Sequence, residues 1–245
     1  MMRLFENIDT FLKDHGEGPV VFCVASSGIA DQARNLAASA GRAGVRLMVA
    51  ALDPKLEKSL AKSEIDLVRH YGDDVPRGYC KFGTSKFKSV VWQRYLIGDR
   101  ILRAGKRYIY TDCDVVFDRD PVEAVMAELD ADPSVDGVFQ FNGSDCCTGF
   151  FAMKPTEAST GLFTREALEA DDFLDYRDDQ DYFNARVYRQ KLEVRLLDRD
   201  RYPNGAWFYA NHDRIGDSCR IVHFNCVVGN RTKIRLMKKH GRWFI

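Results

Sequence analysis

The sequence predicts an α/β chain, a Rossmann-like α/β/α sandwich with a mainly parallel central sheet. Short apolar runs of strand length alternate with longer segments of helical periodicity from Pro19 onward, the order that builds βαβ units and a parallel sheet. The run Tyr108-Ile109-Tyr110-Thr111 carries no charge, as befits a strand buried on both faces of such a sheet. It closes on Asp112-Cys113-Asp114, two carboxylates at the carboxyl end of a strand, where open α/β sheets bind their ligands.

Taken in order, residues 19–25 read as a first strand, Ser26-Ser27-Gly28 as a small-residue turn, and 31–43 as a helix capped by Asp31 and ended by Gly44. A second strand over 45–52 closes on Asp53-Pro54, followed by a short helix at 56–62, a third strand at 66–70 and a polar loop at 71–84. The long helix 85–103 carries an apolar stripe of Val90, Val91, Leu96, Ile97, Ile101 and Leu102. After the carboxylate pair, Asp120 caps and Pro121 opens a helix that runs through Leu129. Next come a strand at 135–141, a polar loop at 142–148, a strand at 149–153 and a helix at 156–170. An acidic stretch, 171–181, leads to a helix at 182–190 and a strand at 192–197. Pro203-Asn204-Gly205 marks a turn before the aromatic cluster of Trp207, Phe208 and Tyr209. A short strand, Ile221 and Val222, ends on His223 ahead of a basic tail. No repeat, low-complexity tract or linker interrupts this, so 1–245 reads as a single domain.

Lys plus Arg equals Asp plus Glu at 36 each, so no net field favours nucleic acid as a partner. No run approaches the roughly 20 apolar residues of a transmembrane segment, and the start lacks the apolar core and cleavage site of a signal peptide. A cytoplasmic protein is expected. The seven cysteines are odd in number and scattered without Cys-x-x-Cys spacing, which points to reduced thiols.

Asp112 and Asp114 offer hard oxygen donors for Mg²⁺ or Mn²⁺, and such a cation in turn clamps a diphosphate; solvated turn-forming aspartates are the structural alternative. His223 at a strand end is either a core residue or a third ligand, since imidazole suits Mn²⁺. The small residues after the first strand let a nucleoside approach the backbone, and Asp53 is placed to accept its hydrogen bonds. Gly229 and Lys233 could offer an amide and an ammonium to phosphate oxygens. Asp179-Gln180-Asp181 is either the capped start of a helix or part of a site. No dinucleotide or P-loop glycine pattern is present.

The ordered set Gly105, Tyr108 to Phe117 with its Asp-x-Asp, Asp120-Pro121, Cys147-Thr148-Gly149-Phe150, Asp179-Gln180 with Phe183-Asn184, His223, Gly229, Lys233 and Trp243 resembles the nucleotide-diphospho-sugar transferase family of GT-A glycosyltransferases. The resemblance covers most of the chain from Val20 on. It implies a GT-A-like fold and transfer of a sugar from a nucleotide-diphosphate donor, UDP-linked, to a hydroxyl of a glycan or other acceptor. By this resemblance Asp112, Asp114 and His223 would bind Mn²⁺ or Mg²⁺. Arg94, Gly229 and Lys233 would contact the diphosphate, with Thr111 and Cys113 beside the donor and Ala25, Ser26, Ser27 and Asp53 near the nucleoside. Asn142, Thr148, Gly149, Asp179 and Gln180 would surround the transferred sugar. Asp179-Gln180 resembles the retaining members, which implies retention with these two residues at the reacting centre. Trp207 is a candidate to stack on a sugar ring or to fill the core. Two other readings stand beside this one. A haloacid dehalogenase-like phosphatase would use Asp112 as nucleophile and Asp114 as acid, with Thr148, Lys154 and Asp178-Asp179 in later roles. A non-catalytic nucleotide-sugar-binding protein would keep the fold alone.

Overall fold

The computed structural model describes residues 1–72, 75, 77–143, 145–170 and 173–245. Asp73, Asp74 and Pro76 of the predicted 71–84 loop, Ser144 of the 142–148 loop, and Asp171 and Asp172 at the head of the acidic stretch lie outside the described residues.

Two elements precede the first predicted strand: β1 (Arg3–Phe5) and α1 (Ile8–Asp14). Three residues of strand and a helix held by an Asn7/Thr10 capping box leave too little periodicity to read. The predicted βαβ unit follows as β2 (Val20–Ala25), α2 (Ala30–Arg42) and β3 (Leu47–Ala51). Asp31 is not the cap of α2. A 3-10 turn over Ser27–Ile29 feeds straight into the helix, and Asp31 lies in its first turn, 3.6 Å from Arg34. Helix α3 (Pro54–Leu60) starts earlier than predicted, because Asp53 takes the N-cap and its carboxylate accepts from the amides of Lys55 and Leu56, both at 3.0 Å. Then come β4 (Asp66–Arg69), α4 (Ser85–Arg103), β5 (Tyr108–Thr111), β6 (Val115–Phe117) and α5 (Val122–Asp130).

The next stretch departs most from expectation. Strand β7 (Gly137–Asn142) pairs with a long β8 (Asp145–Met153), so most of the predicted 142–148 loop is strand. A register shift between Phe139 and Gln140 and the polar or small residues carried there hide the alternation that marks a strand. The predicted 156–170 helix shrinks to α6 (Arg165–Ala170). Thr156 and Ser159 trade side-chain bonds to each other's amides at 2.9 and 3.1 Å, and Gly161 has φ +81°, so the backbone is drawn into a local turn instead. Helix α7 (Asp179–Gln190) begins a turn before the predicted start, since Asp178 caps it by accepting from the Asp181 amide at 2.9 Å. A short β9 (Val194–Leu196) precedes α8 (Gly205–Ile215). The Pro203-Asn204-Gly205 signal is therefore a helix start, with Asn204 accepting from the Trp207 amide at 2.9 Å. β10 (Ile221–His223) leads to α9 (Asn230–Lys239), the basic tail.

The larger sheet has the order β1-β4-β3-β2-β5-β8-β7-β9. Its described pairs are parallel except the two that β8 makes with β5 and β7. Side chains alternate across β2: Val21, Cys23 and Ala25 pack on α2, α3 and α5 through Leu36, Leu56 and Leu129, while Val20, Phe22 and Val24 pack on α1, α4 and α7 through Phe11, Tyr95 and Phe183. Two apolar layers on one sheet give the predicted sandwich. Among the described residues no helix is long and apolar enough to cross a membrane.

Candidate active site

Strand β5 carries Asp112 and Asp114 to the sheet's carboxyl edge, and two short connections fix what meets them. The Asp112 amide donates to the Gly149 carbonyl at 2.7 Å, extending the β5–β8 ladder by one bond. Beyond Asp114 the chain turns into β6, which pairs antiparallel with β10 so that Val115 faces His223, and the Phe224 amide donates to the Asp114 carbonyl at 2.9 Å. This ribbon brings an imidazole from the far end of the sequence to the carboxylate pair. One ligand atom each from Asp112, Asp114 and His223 lies within 4.8 Å of the others. Two carboxylates and an imidazole form a donor set that fits Mn²⁺ or Mg²⁺.

The imidazole is oriented from behind. Gln140 Nε2 donates to the Tyr202 carbonyl at 3.0 Å, so its Oε1 is the atom 2.8 Å from His223 Nδ1. Nδ1 therefore carries hydrogen, and Nε2 faces Asp114 at 3.3 Å and Asp112 at 3.8 Å. Gly149 presses on the same ring. A Cβ there would lie 2.1 Å from His223 Cε1 and 2.8 Å from an Asp112 carboxylate oxygen, closer than any real contact.

Lys233, from the first turn of α9, places its ammonium 2.5 Å from Asp114. Burial works to raise the Asp114 carboxyl, but the Lys233 and His223 charges overcome it and hold it far below the usual range. Burial alone would strip His223 of its proton; the Asp114 charge reverses that and lifts it to about 10. Burial raises Asp112 above the usual carboxylate range, against the pull of Arg94.

Arg94, buried on α4, donates to Asp112 at 3.2 Å and to the Thr148 carbonyl at 2.8 Å, and its other terminal nitrogen lies 3.1 Å from Asp179. Asp179 also accepts from Thr148 Oγ1 at 2.8 Å and from Tyr95 at 3.2 Å. The Tyr110 hydroxyl donates to Asp112 at 2.7 Å, and Arg94 lies over the Tyr110 ring at 4.8 Å. One guanidinium thus locks the Asp-x-Asp segment to the start of α7, where Gln180 follows.

A cleft of about 730 Å³ opens over these groups. Among the sequence-predicted site residues it is lined by Asp112, Asp114, His223, Arg94, Cys113, Gly229, Lys233, Thr148, Gly149, Asp179 and Gln180. Ala25, Ser26, Ser27, Asp53, Thr111, Asn142 and Trp207 do not line it. Asp53 spends its carboxylate on backbone amides, those of α3 on one side and those of Ser27 and Gly78 at 2.8 and 3.4 Å on the other. Ser26 donates to the Gly78 carbonyl at 2.7 Å, Thr111 is buried beneath Asp112, and Asn142 accepts from Asn204 at 3.3 Å. Trp207 donates to Asp200 at 2.7 Å, with Arg199 over its ring at 3.8 Å and Arg214 at 5.4 Å, so both groups that could meet a sugar are engaged. Sequence reasoning missed Tyr95, Tyr110 and Gln140. Gln140, an amide inside the otherwise apolar run Val138 to Phe141, was the readable signal, since a buried amide must find partners.

The phosphatase alternative fails on topology. Met153 pairs with Tyr108 at the amino end of β5, and the next residue, Lys154, bonds the carbonyls of Leu129 and Asp132 there, a strand's length from Asp112.

A curated relative, the UDP-galactose:fucoside alpha-3-galactosyltransferase of Dictyostelium discoideum, is 24% identical over 196 residues, 67% of this chain and 29% of that protein. The chain thus spans less than a third of that relative's length. Mouse xyloside xylosyltransferase 1 superposes with a TM-score of 0.56 at 12% identity, covering 87% of this chain and 99% of the mouse chain. GlyE of Streptococcus pneumoniae gives 0.56 at 13%, over 92% and 65% of the two chains. These likenesses identify the fold as GT-A. Residues 43–237, from the end of α2 into α9, match the family described as nucleotide-diphospho-sugar transferase, and the chain belongs to that family.

Proposed function

We propose that the chain moves a sugar from a UDP-linked donor to a hydroxyl of a glycan or other acceptor, with retention of configuration. The observation that carries this is the convergence, in one cleft, of the Asp112, Asp114 and His223 donors with Lys233 on one side and the Asp179-Gln180 start of α7 on the other. A divalent cation held by the three donors would offset the charge that builds on the departing diphosphate. The rest falls to the protein's own groups. Lys233 would leave Asp114 for a phosphate oxygen, joined by the Gly229 end of α9. Arg94, buried and saturated by Asp112, Asp179 and Thr148, positions both carboxylates rather than touching phosphate. Ala25, Ser26, Ser27 and Asp53 shape the wall beside the nucleoside through the loop they tie down.

Asp179, neutralised by Arg94, would accept a hydrogen bond from a sugar hydroxyl instead of acting as a base. Gln180 would face the anomeric carbon opposite the diphosphate, its carbonyl steadying an oxocarbenium-like centre. The acceptor's proton would pass to the leaving diphosphate oxygen, so no separate base is needed.

A thermal-shift screen of nucleotide sugars with Mn²⁺, followed by turnover assays, tests this. UDP and at least one UDP-sugar should stabilise the protein by about 2.7 kcal/mol at a hundred times Kd, and that sugar should be consumed. Consumption of no nucleotide sugar would sink the proposal. Proton NMR of product from an α-linked donor should show an α linkage; a β linkage would remove the retention assignment alone.

Cation binding should also release protons. His223 holds its proton up to about 10 in the cation-free protein and must give it up to become a ligand. We expect about one proton released per Mn²⁺ at pH 7.5, and affinity rising up to about tenfold per pH unit while His223 remains protonated. Calorimetry in buffers of different ionisation enthalpy reads this directly; a buffer-independent heat would remove His223 from the ligand set. Gln140→Leu, which leaves Nδ1 with only the Cys147 sulfur at 3.7 Å, should weaken Mn²⁺ binding about 10- to 100-fold.

A further inference from the structure

One face of α4 leads out of the site. Arg94, Val90 or Val91, and Phe87 stand one helical turn apart, spanning about 10 Å at 1.5 Å per residue. All four line the cleft, and exposure rises along the path: Arg94 is 4% exposed and Val91 8%, Val90 and Phe87 are half-buried, and Phe82 at the mouth is 56% exposed. The rings of Phe82 and Phe87 lie 5.0 Å apart, and Val228, 78% exposed, lines the same cleft. The inner end of this path is Arg94, which touches Asp179 beside Gln180.

The proposed sugar chemistry uses none of these apolar side chains. Phe82 and Phe87 could stack on a sugar face, but Val90 and Val91 offer no partner to a sugar's hydroxyls, whereas an apolar group loses water along the whole strip. The loop after β2 forms another part of the cleft: Gly28 packs against the Tyr79 backbone, Asn230 donates to the Gly28 carbonyl at 3.1 Å, and Ile29 and Gln32 line the same cleft. This is the wall that the proposed function gives to the nucleoside.

We infer that the acceptor is a glycoside, with the reacting hydroxyl on a sugar that carries an aryl or alkyl aglycone, and that Val90, Phe87 and Phe82 form the aglycone subsite. This rests on the glycosyltransferase reading above. With the aglycone seated on the strip, the acceptor oxygen bonds to the anomeric carbon. The bond from that carbon to the diphosphate oxygen breaks with its electron pair on the diphosphate, and that oxygen takes the acceptor's proton.

The test uses the full chain with Mn²⁺ and UDP-galactose, UDP-glucose or UDP-xylose. Each donor is offered water, methyl glycosides, and the matching p-nitrophenyl and octyl glycosides of glucose, galactose, xylose and fucose. At least one aryl or octyl glycoside should show kcat/KM about tenfold or more above its methyl counterpart, the scale of taking part of a ring out of water. Phe82→Ala and Phe87→Ala should bring that ratio towards one, through acceptor KM. Donor consumption, in water or with any acceptor, without aglycone preference overturns the subsite. So does a preference untouched by both variants, or a loss confined to donor KM, which would give the strip to the nucleoside. No donor consumption in any mixture instead strikes the glycosyltransferase reading itself.

Discussion

Asp114→Asn is expected to lower turnover at saturating donor by about 10³-fold or more, with a fold that survives. The scale is that of removing one preorganised charge stabiliser, about 10² to 10³, deepened by the loss of a cation ligand, because an amide keeps the shape of the carboxylate without its charge. The same carboxylate balances Lys233 and His223 in the cation-free protein. Removing one partner of a buried pair costs about 3–5 kcal/mol when the other is stranded. Here the loss should be smaller, since His223 can shed its proton and Lys233 is partly open to water. The signs follow from the shifts. The Asp114 carboxyl is depressed in the fold, so its contribution is present above the unfolded value near 3.8 and fades as pH falls through the folded value. The stability gap between wild type and variant should therefore narrow in acid. His223 is raised, so its contribution is full below 6.5 and lost as pH rises through about 10; in the variant its titration should move down. Turnover above about a tenth of wild type, or an unmoved His223 titration by NMR, would contradict the assignment of Asp114.

The parts of this site that were legible in the sequence are those where chemistry and position coincide. Asp112 and Asp114 end an uncharged run, and a buried strand that stops on two carboxylates names its own ligand edge. The β2–α2–β3 unit and α4 were readable because each is long enough to show a period. What stayed hidden depends on pairing across the fold. The strand that ends on His223 was legible, but its pairing with β6, three residues a side, was not, and that pairing is what delivers the imidazole to the carboxylates. The partners of Arg94 were hidden for a similar reason. The resemblance assigns it to the diphosphate, and only the packing of α4 against β5 and α7 shows that Asp112, Thr148 and Asp179 surround it. Asp53, read as a contact for a nucleoside, also caps α3 and ties down the loop after β2, a common use of an aspartate before proline.

Gly149→Ala should be nearly as damaging as loss of a ligand, although it adds only one methyl group and changes no charge. The added Cβ would meet His223 Cε1 at 2.1 Å and Nε2 at 2.8 Å, and an Asp112 carboxylate oxygen at 2.8 Å, so something must move. The imidazole is backed by Gln140 at 2.8 Å and by the Cys147 sulfur at 3.7 Å. Asp112 is pinned by Tyr110 and Arg94. Strand β8 cannot retreat cheaply, because the Gly149 carbonyl accepts from the Asp112 amide and Phe150 pairs with Thr111. Relief must come from turning His223 or Asp112 out of register, and either breaks the donor set. We expect turnover and Mn²⁺ affinity to fall about 10²-fold or more, with about 1–3 kcal/mol of stability lost to overpacking. Gly41→Ala is the matched control: it lies in α2 with nothing within 4 Å of its Cβ, and should leave turnover alone while gaining about 0.5–1 kcal/mol. If Gly149→Ala instead bound Mn²⁺ as wild type does, the close seat of His223 against β8 would be wrong, and with it the reason a glycine stands between Thr148 and Phe150.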